Sequence, residues 1–193
     1  MEWDKIWATN KQILDPIVPR YTAIMESTAV KLTITNGPDK PEATMQPLHP
    51  KPEVKIGMKP VMRGKNLLIE RDDAMTKDKA GNLVLVEGAK VTLMKWGNIK
   101  ITKRIEKGDN IELQATYDPN DTDFGKGTVK LTWICNDPAT TCKIKLIEYD
   151  HLITKDKLEE GDKIEDLVNH NSKIENTLIA EGVVRNLPKG THF

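Results

Sequence analysis

The side chains that could bind a metal or carry out acid–base catalysis are few and widely separated in this sequence. They are His49, His151, His170, His192, Cys135, Cys142 and the adjacent pair Asp72-Asp73. Zinc sites use ligands at short, regular spacings, and no histidine has that spacing to a cysteine, so ordinary histidines are favoured over ligands. The aspartate pair follows a predicted strand, which favours capping of a short helical turn over an acid–base pair. We predict no catalytic residue and no metal site.

Two loop motifs resemble calcium-binding or phosphate-binding sequences but lack key positions. The stretch DPNDTDFG (118–125) has Asp123 where a calcium loop needs glycine and Val129 where it needs glutamate. An acidic hairpin turn is the better interpretation. Gly125-Lys126-Gly127 lacks the remaining positions of a phosphate-binding loop, and no nucleophile elbow occurs. The sequence offers no active site.

The stretch DPIVPRYTAI (15–24) joins a predicted helix to the first predicted strands. Its two prolines, Pro16 and Pro19, stiffen the backbone, and the second is followed by Arg20 and Tyr21. The residue before a proline is pushed out of the α region, so the helix is expected to end here. The motif therefore presents a guanidinium beside an aromatic ring on a restricted segment.

Charge is balanced over the whole chain but not along it. The 193 residues contain 29 Lys and Arg against 29 Asp and Glu, so no global field favours nucleic acid or an anionic membrane. Residues 61–110 hold 11 basic against 7 acidic residues, a balance of +4, and residues 111–150 hold 4 against 7, a balance of −3. The middle of the chain is where a basic face is expected, although a solvated lysine-rich surface remains the alternative.

The sequence also indicates a compartment. Two cysteines seven positions apart suggest neither a zinc site nor a disulfide framework, which fits a reducing environment. No run of about 18 apolar residues is present, so no spanning helix is predicted. The beginning, MEWDKIWATN, is too charged for a secretory signal. We predict a soluble, intracellular chain.

Apolar periodicity predicts a mainly β fold preceded by one short helix. Residues 3–14 have helical spacing, and the pattern alternates from residue 29 onward. The predicted strands are AVKLTIT (29–35), NLLIE (66–70), NLVLVE (82–87), KVTLMKW (90–96), NIKITKR (98–104), NIELQATY (110–117), TVKLTWIC (128–135) and KIKLIEYD (143–150). Short strands separated by glycine and asparagine turns are typical of antiparallel barrels or sandwiches. The proline-rich residues 38–60 are expected to form an extended connection, and helical signal returns only at 161–168.

The final residues, LPKGTHF, look like the start of another strand. A domain that stops there would leave an open sheet edge, which natural proteins avoid. We therefore expect the chain to continue beyond Phe193 in its natural form.

Several ordered motifs resemble one family. The run MEWDKIWATNKQILDPIVPRYTAI, followed by HPKPEVKIGMKPV, LLIERDDA, VTLMKWGNIKITK, VKLTWI and IEYDHLITK, is similar to eukaryotic-type cytoplasmic glutamyl-tRNA synthetases across the whole chain. A weaker similarity to glutaminyl-tRNA synthetases is visible. The resemblance implies part of a class I aminoacyl-tRNA synthetase, the region that binds the tRNA anticodon.

The resemblance also implies a domain organisation. Residues 1–26 would connect to the synthetase body. Residues 27–60 with 146–193 would form a proximal antiparallel β-barrel, truncated at its C-terminal end, and residues 61–145 an inserted distal one. The family's ATP-binding signatures are missing, so this chain is expected to hold no cofactor, with ATP and Mg²⁺ bound in a catalytic domain outside it. The full-length protein would be a cytoplasmic glutamate–tRNA ligase that attaches glutamate to tRNA(Glu) through an adenylate. Its partners would be tRNA(Glu) and other synthetase-complex proteins, without DNA or a membrane.

For individual residues, the resemblance implies that Arg20 contacts an anticodon base, with Tyr21 beside it. A guanidinium can hydrogen-bond a splayed base edge and stack on its face, which suits this role. The sequence leaves open a salt bridge from Arg20 to Asp15 or Glu26, and a place for Tyr21 in the core. The relatives carry basic residues on the strand that matches residues 82–88, whereas this chain has none there.

The lysines that remain as predicted phosphate contacts are Lys90, Lys95 and Lys100, with plain solvated surface as the alternative for each. Three other functions compete with the leading one. They are the anticodon-binding region of a glutaminyl-tRNA synthetase, a protein-interaction β-barrel module and a free-standing hydrolase. The absence of nucleophile, metal and acid–base motifs argues against the hydrolase.

Overall fold

A computed structural model of the protein describes residues 3–125, 128–155 and 157–193. Its helical segments are α1 (Trp3–Leu14), α2 (Arg71–Ala74), α3 (Ile164–Leu167) and a 3-10 helix (Gly182–Asn186). Its strands are β1 (Ala23–Met25), β2 (Val30–Ile34), β3 (Glu42–Pro47), β4 (Met58–Arg63), β5 (Asn66–Ile69), β6 (Lys90–Leu93), β7 (Gly97–Lys107), β8 (Asn110–Asp118), β9 (Lys130–Leu131), β10 (Trp133–Cys135), β11 (Thr141–Tyr149) and β12 (Lys173–Glu181). The prediction of a mainly β fold with a short N-terminal helix is confirmed.

The largest sheet has seven strands in the order β10-β5-β2-β8-β7-β6-β9 and is nearly closed into a barrel. Its two edge strands, β9 and β10, are consecutive in the chain and are separated only by Thr132. A single stretch of chain therefore pairs with β6 on one side and with β5 on the other. Because closure removes exposed sheet edges, this arrangement leaves few backbone groups without partners.

Alternation along the strands explains the barrel core. In β2, Val30, Leu32 and Ile34 point inward and are buried, while Lys31 lies outside. The same alternation holds in the neighbouring strand β8, where Ile111, Leu113 and Ala115 are buried, and one apolar cluster fills the interior. Its members with full burial are Leu32, Ile34, Leu67, Ile69, Ala74, Leu85, Val91, Leu93, Ile101, Ala115 and Leu131. Burial of this set provides the main stabilisation of the barrel.

Two smaller sheets flank the barrel. β1, β12 and β11 form a three-stranded antiparallel sheet, and β3 pairs with β4 in a hairpin. A small cluster of Ile24, Leu68 and Ile134 is buried between β1 and the barrel strands β5 and β10. This packing fixes the short strand β1, and with it the preceding junction, against the barrel wall.

Helix α1 lies at the surface with apolar side chains in solvent. Trp7 is 56% exposed and Ile13 is 61% exposed, and Trp7 approaches the ring of His151 with centroids 6.5 Å apart. None of the helices in the described part of the chain is long and apolar enough to cross a membrane.

Three local predictions are wrong. Residues 82–87 form no strand, because Leu85 turns into the core and only a single bridge joins Lys77 to Leu83. Residues 128–135 are two strands instead of one. The proline-rich connection contains the hairpin β3–β4, in which Pro47 and Pro60 lie within paired strands.

The predicted domain boundaries stay a prediction. β2, which they assign to the proximal unit, is hydrogen-bonded between β5 and β8 in the seven-stranded sheet. β11 pairs with β12 from Thr141, a few residues before the predicted boundary at residue 146. Lys126 and Gly127, part of a loop motif considered above, lie outside the described residues.

Candidate nucleic-acid interface

The proline-stiffened junction places Arg20 at the rim of a cleft. Its backbone N–H donates to the carbonyl of Leu48, 2.7 Å away, which ties the junction to the end of β3. Its guanidinium forms an ion pair with the Asp15 carboxylate and donates to the Asp15 carbonyl, 3.2 Å away. Of the two acidic partners considered for Arg20, the structure selects Asp15. Glu26 pairs instead with Lys143.

The cleft beside Arg20 lies between the hairpin β3–β4, the end of β12 and the barrel, and encloses about 210 Å³. The residues of its lining that carry polar or aromatic groups include Arg20, Gln46, Lys59, Lys95, Trp133 and Glu181. Gln46 is buried, and its Nε2 has no hydrogen-bond partner among the described residues. Cationic groups beside an amide donor and an aromatic ring suit a ligand with negative charge and planar hydrogen-bonding groups.

Tyr21 occupies a position between core and surface. Its ring meets the ring of Phe193 edge-on, with centroids 5.9 Å apart, and Lys59 Nζ lies 5.1 Å from its centroid. Burial raises the pKa of Tyr21, and the nearby Glu181 carboxylate acts in the same direction. The ring is therefore held by neighbouring side chains as well as by the junction itself.

Lys95 lies at the tip of the turn between β6 and β7 and lines the same cleft as Arg20. Its backbone is left-handed, with φ of 59°, which costs about 1–2 kcal/mol for a residue other than glycine. Two contacts hold this conformation. Arg63 donates to the Lys95 carbonyl at 2.6 Å and lies over the Trp96 ring, which packs on Trp133 at 4.9 Å. The turn is thus anchored, and it presents the lysine at a defined place.

A second cavity of about 310 Å³ adjoins the first at Met94 and Lys95, which line both. Trp96, Phe124 and Lys130 also line it, and Phe124 is 52% exposed. A cavity lined by an exposed aromatic ring and two lysines has the composition of a stacking surface for single-stranded nucleic acid.

Lys90 and Lys100 face each other across β6 and β7 but belong to the described lining of neither cavity. Lys90 donates to Asp121 at 2.9 Å and to Asp123 at 3.4 Å. The hydrogen bond to Asp121 is the main cause that raises the pKa of Lys90. Lys100 is exposed on β7. Of the predicted site residues, the structure therefore brings together Arg20, Tyr21 and Lys95, and places the other two elsewhere.

Residues 118–125 form an acidic turn that is organised by protein groups. Asn98 donates to the Asp121 carboxylate at 3.0 Å and to the carbonyl of Asp123 at 2.8 Å. Buried His49 is likewise bound by backbone groups, with Nε2 2.9 Å from the Asp15 carbonyl. Within the described ranges, no group of three or more His, Cys, Asp or Glu side chains could hold a metal ion.

Sequence reasoning missed Gln46, Lys59, Arg63 and Glu181. Lys59 lies in the stretch MKPV within a predicted connection, and Glu181 ends a strand that was not predicted. Their significance depends on pairing between distant segments, which no local spacing reveals. The one signal available in the sequence was the position of the basic Lys59 between Met58 and Pro60, where apolar and polar residues alternate as in a strand.

Comparison with known proteins defines the class of this chain. Residues 18–118 match the family model for the anticodon-binding domain of class I tRNA synthetases for E and Q, that is, glutamate and glutamine. The chain belongs to this family. The matched segment contains Arg20, Gln46, Lys59 and Lys95, which line the cleft.

Within this family, the curated relatives to which the chain is similar include ligases for glutamate. The chain is 35% identical to the cytoplasmic glutamate–tRNA ligase of Saccharomyces cerevisiae and 38% identical to that of Arabidopsis thaliana, in each case over 98% of this chain and 25% of the relative. It is 34% identical to the bifunctional glutamate/proline–tRNA ligase of Mus musculus, over 98% of this chain and 12% of that protein. The chain spans about a quarter of the length of the glutamate–tRNA ligases that it matches.

Proposed function

We propose that this chain is the tRNA anticodon-binding region of a glutamate–tRNA ligase. The observation that carries the proposal is the cleft, which gathers Arg20, Lys59 and Lys95 around polar and aromatic groups. These three cationic residues belong to the segment that matches the anticodon-binding family, whereas Trp133 and Glu181 of the lining lie beyond it. RNA loops are recognised through unstacked bases, which need aromatic or guanidinium surfaces and edge hydrogen bonds. The adjoining cavity with Phe124 and Lys130 supports a ligand that extends over more than one nucleotide.

In this proposal, Arg20 leaves Asp15 to contact an anticodon base, and Tyr21 supports it. Lys95, which lines both cavities, contacts the phosphate backbone. Lys90 and Lys100 contribute to a more distant part of the RNA path, Lys90 less strongly because two carboxylates already bind it.

The full-length protein would attach glutamate to tRNA(Glu) through an ATP-dependent adenylate. ATP and Mg²⁺ would bind to sequence outside these residues, which agrees with the fourfold greater length of the yeast and plant relatives. The names of these relatives support a cytoplasmic location, and the bifunctional mouse relative supports further partners in a synthetase complex.

A comparison of binding to tRNA(Glu) and tRNA(Gln) transcripts by the full-length protein tests this proposal. Filter binding should show tighter retention of tRNA(Glu), and the preference should decrease when the tRNA(Glu) anticodon is replaced. Preference for tRNA(Gln) would favour the glutaminyl enzyme. Retention of neither RNA would favour a protein-interaction module and contradict the proposal.

A further inference from the structure

A buried ion pair lies directly behind the Arg20–Tyr21 junction. Lys59 Nζ is 2.6 Å from each carboxylate oxygen of Glu181, and the two side chains are only 7% and 9% exposed. Lys59 comes from β4 and Glu181 from the last position of β12, segments more than a hundred residues apart in the chain. The pair therefore joins the β3–β4 hairpin to the three-stranded sheet.

Each member of the pair also holds the backbone beside Tyr21. Lys59 Nζ donates to the carbonyl of Arg20 at 2.8 Å, and the N–H of Thr22 donates to Glu181 Oε1 at 3.0 Å. The backbone of Glu181 adds a further bond, from its N–H to the carbonyl of Thr22 at 3.0 Å. The peptide units on both sides of Tyr21 are thus fixed by one pair of opposite charges.

The ion pair also forms part of the cleft wall. Lys59 and Glu181 both belong to its lining, and Lys59 is the register partner of Gln46 across β3 and β4. Burial lowers the pKa of Lys59, whereas the hydrogen bond to Glu181 acts in the opposite direction. Two charges that compensate each other contribute little net field, so their effect on a ligand comes mainly through the geometry that they impose.

We propose that Lys59 and Glu181 are positioning residues for RNA recognition, which act by holding the Arg20–Tyr21 backbone at the cleft. The proposal rests on the proposed function, since it takes a tRNA anticodon loop as the ligand. It assigns to the pair a role through Arg20, without a required contact between Lys59 or Glu181 and a base.

The test separates positioning from folding with a charge-free double variant. Lys59→Met alone leaves a buried carboxylate without its partner and is expected to destabilise the protein. Lys59→Met with Glu181→Leu removes both charges, so most of the stability should return while the bonds to the Arg20 carbonyl and the Thr22 N–H are lost. Thermal unfolding, followed by circular dichroism, establishes that the double variant is folded. Glu181→Gln, which keeps the side-chain shape and an acceptor for Thr22, is the conservative variant.

Steady-state charging of a tRNA(Glu) transcript by the full-length protein then gives KM for tRNA and kcat. We expect the folded double variant to raise KM by about 10- to 100-fold, the scale of a displaced recognition group, with kcat changed much less. Glu181→Gln leaves the buried Lys59 ammonium without a counter-charge and should lower stability, but because it keeps an acceptor for Thr22 its KM should rise less than that of the double variant. Lys145→Met, which removes one member of the exposed Lys145–Glu175 pair on the same sheet, is the matched control and should leave KM unchanged.

The decisive comparison is made in an Arg20→Ala background. If the pair acts through Arg20, removing its charges there should add little to the loss caused by Arg20→Ala alone. An unchanged KM in the double variant, or losses that multiply with that of Arg20→Ala, would overturn the inference. Failure of the proposed function looks different, because the unaltered protein would then show no preference for tRNA(Glu) and Arg20→Ala would have no effect.

Discussion

Arg20 lines the cleft while its guanidinium is bound to Asp15. Its side chain is 39% exposed and that of Asp15 is 43% exposed, so this ion pair contributes about 0–1 kcal/mol. A partner that desolvates the guanidinium and offers planar acceptors can therefore displace Asp15 at small cost. The ion pair and the proposed base contact are compatible as two states of one side chain.

Replacement of Arg20 by alanine tests this residue directly. In the full-length protein, Arg20→Ala should weaken recognition of tRNA(Glu) by about 1–3 kcal/mol, the scale of one base contact. Arg20→Lys should restore little, because an ammonium lacks the planar fork of donors. The loss should shrink when the tRNA already carries a wrong anticodon base, which charging kinetics on both RNAs would measure. An equal loss on right and wrong anticodons would make Arg20 a phosphate contact or a structural residue.

Lys95 and Trp96 show what sequence could and could not predict at this level. The motif VTLMKWGNI indicated a strand, a turn with Gly97 and a second strand, and it made Lys95 a candidate contact. It gave no indication of the left-handed backbone at Lys95 or of Arg63 as its anchor, because Arg63 belongs to another hairpin. Gln46, Lys59 and Glu181 escaped prediction for the same reason.

The β6–β7 hairpin depends on Gly97 for its close approach to the neighbouring strand. Gly97 has φ of 154°, and a Cβ there would lie 2.7 Å from Cε2 of Tyr117 on β8. Tyr117 in turn packs on Trp96, with ring centroids 6.0 Å apart. The turn that carries Lys95 is therefore coupled to the barrel through this contact.

Gly97→Ala should destabilise the protein by about 1–3 kcal/mol, because the added methyl group forces Tyr117 to move. Urea unfolding measures this change. Gly108→Ala is the matched control, since Gly108 also has a positive φ, of 58°, but no atom within 4 Å of an added Cβ. The change at residue 97 should exceed that at residue 108. Equal effects would show that only backbone conformation, and not the contact with Tyr117, constrains Gly97.

An ion pair joins strands β11 and β12 at their solvent-exposed face. Glu175 binds Lys145 and Lys173 at 2.7 Å and 2.6 Å, and the hydrogen bond to Lys145 is the main cause that lowers its pKa to about 2. A carboxylate whose pKa is lower in the folded state stabilises it above the unfolded pKa near 4.5, and this stabilisation is lost as pH falls towards 2.

The variant Glu175→Gln should therefore lose less stability than the unaltered protein between about pH 4.5 and pH 2. Above about pH 4.5, the variant should be less stable than the unaltered protein, because it lacks the two ion pairs. Denaturant unfolding at several pH values, followed by circular dichroism, measures both effects. Unchanged acid sensitivity in the variant would mean that other carboxylates control this transition. Glu112, which lies 3.8 Å from Lys31 on another sheet, is a suitable control position.

Barrel strands such as β2 and β8 were predictable from alternation, because one face of each is buried and the other is largely solvated. The segments that failed are those where tertiary contacts replace the local pattern. Residues 82–87 alternate like a strand, yet Leu85 fills the core and its carbonyl accepts from Arg104 at 2.9 Å. Thr132 divides one apparent strand because the two halves pair with opposite edges of the sheet.

At the level of the complete molecule, the chain is short beside the proteins that it resembles. Its relatives among the glutamate–tRNA ligases are about four times as long. The exposed apolar residues of α1, among them Trp7 and Ile13, agree with a place beside further protein.

The purified chain alone should therefore show no glutamate-dependent exchange between ATP and pyrophosphate, and it should bind tRNA weakly. The absent exchange follows if adenylate formation requires sequence outside these residues, and the weak binding follows if that sequence also contacts the tRNA. The full-length protein serves as the positive control in the exchange assay. Measurable exchange by the chain alone would place a catalytic site within it and refute this part of the proposal.

The central claim is that these residues read the anticodon of tRNA(Glu). It is tested most directly by charging two tRNA(Glu) transcripts that differ only in the anticodon with glutamate, using the full-length protein. We predict that kcat/KM falls for each altered base that is read. The fall should correspond to a loss of about 1–3 kcal/mol of transition-state stabilisation. Arg20→Ala should reduce this difference between the two transcripts. Equal kcat/KM values for both transcripts in the unaltered protein would contradict the claim.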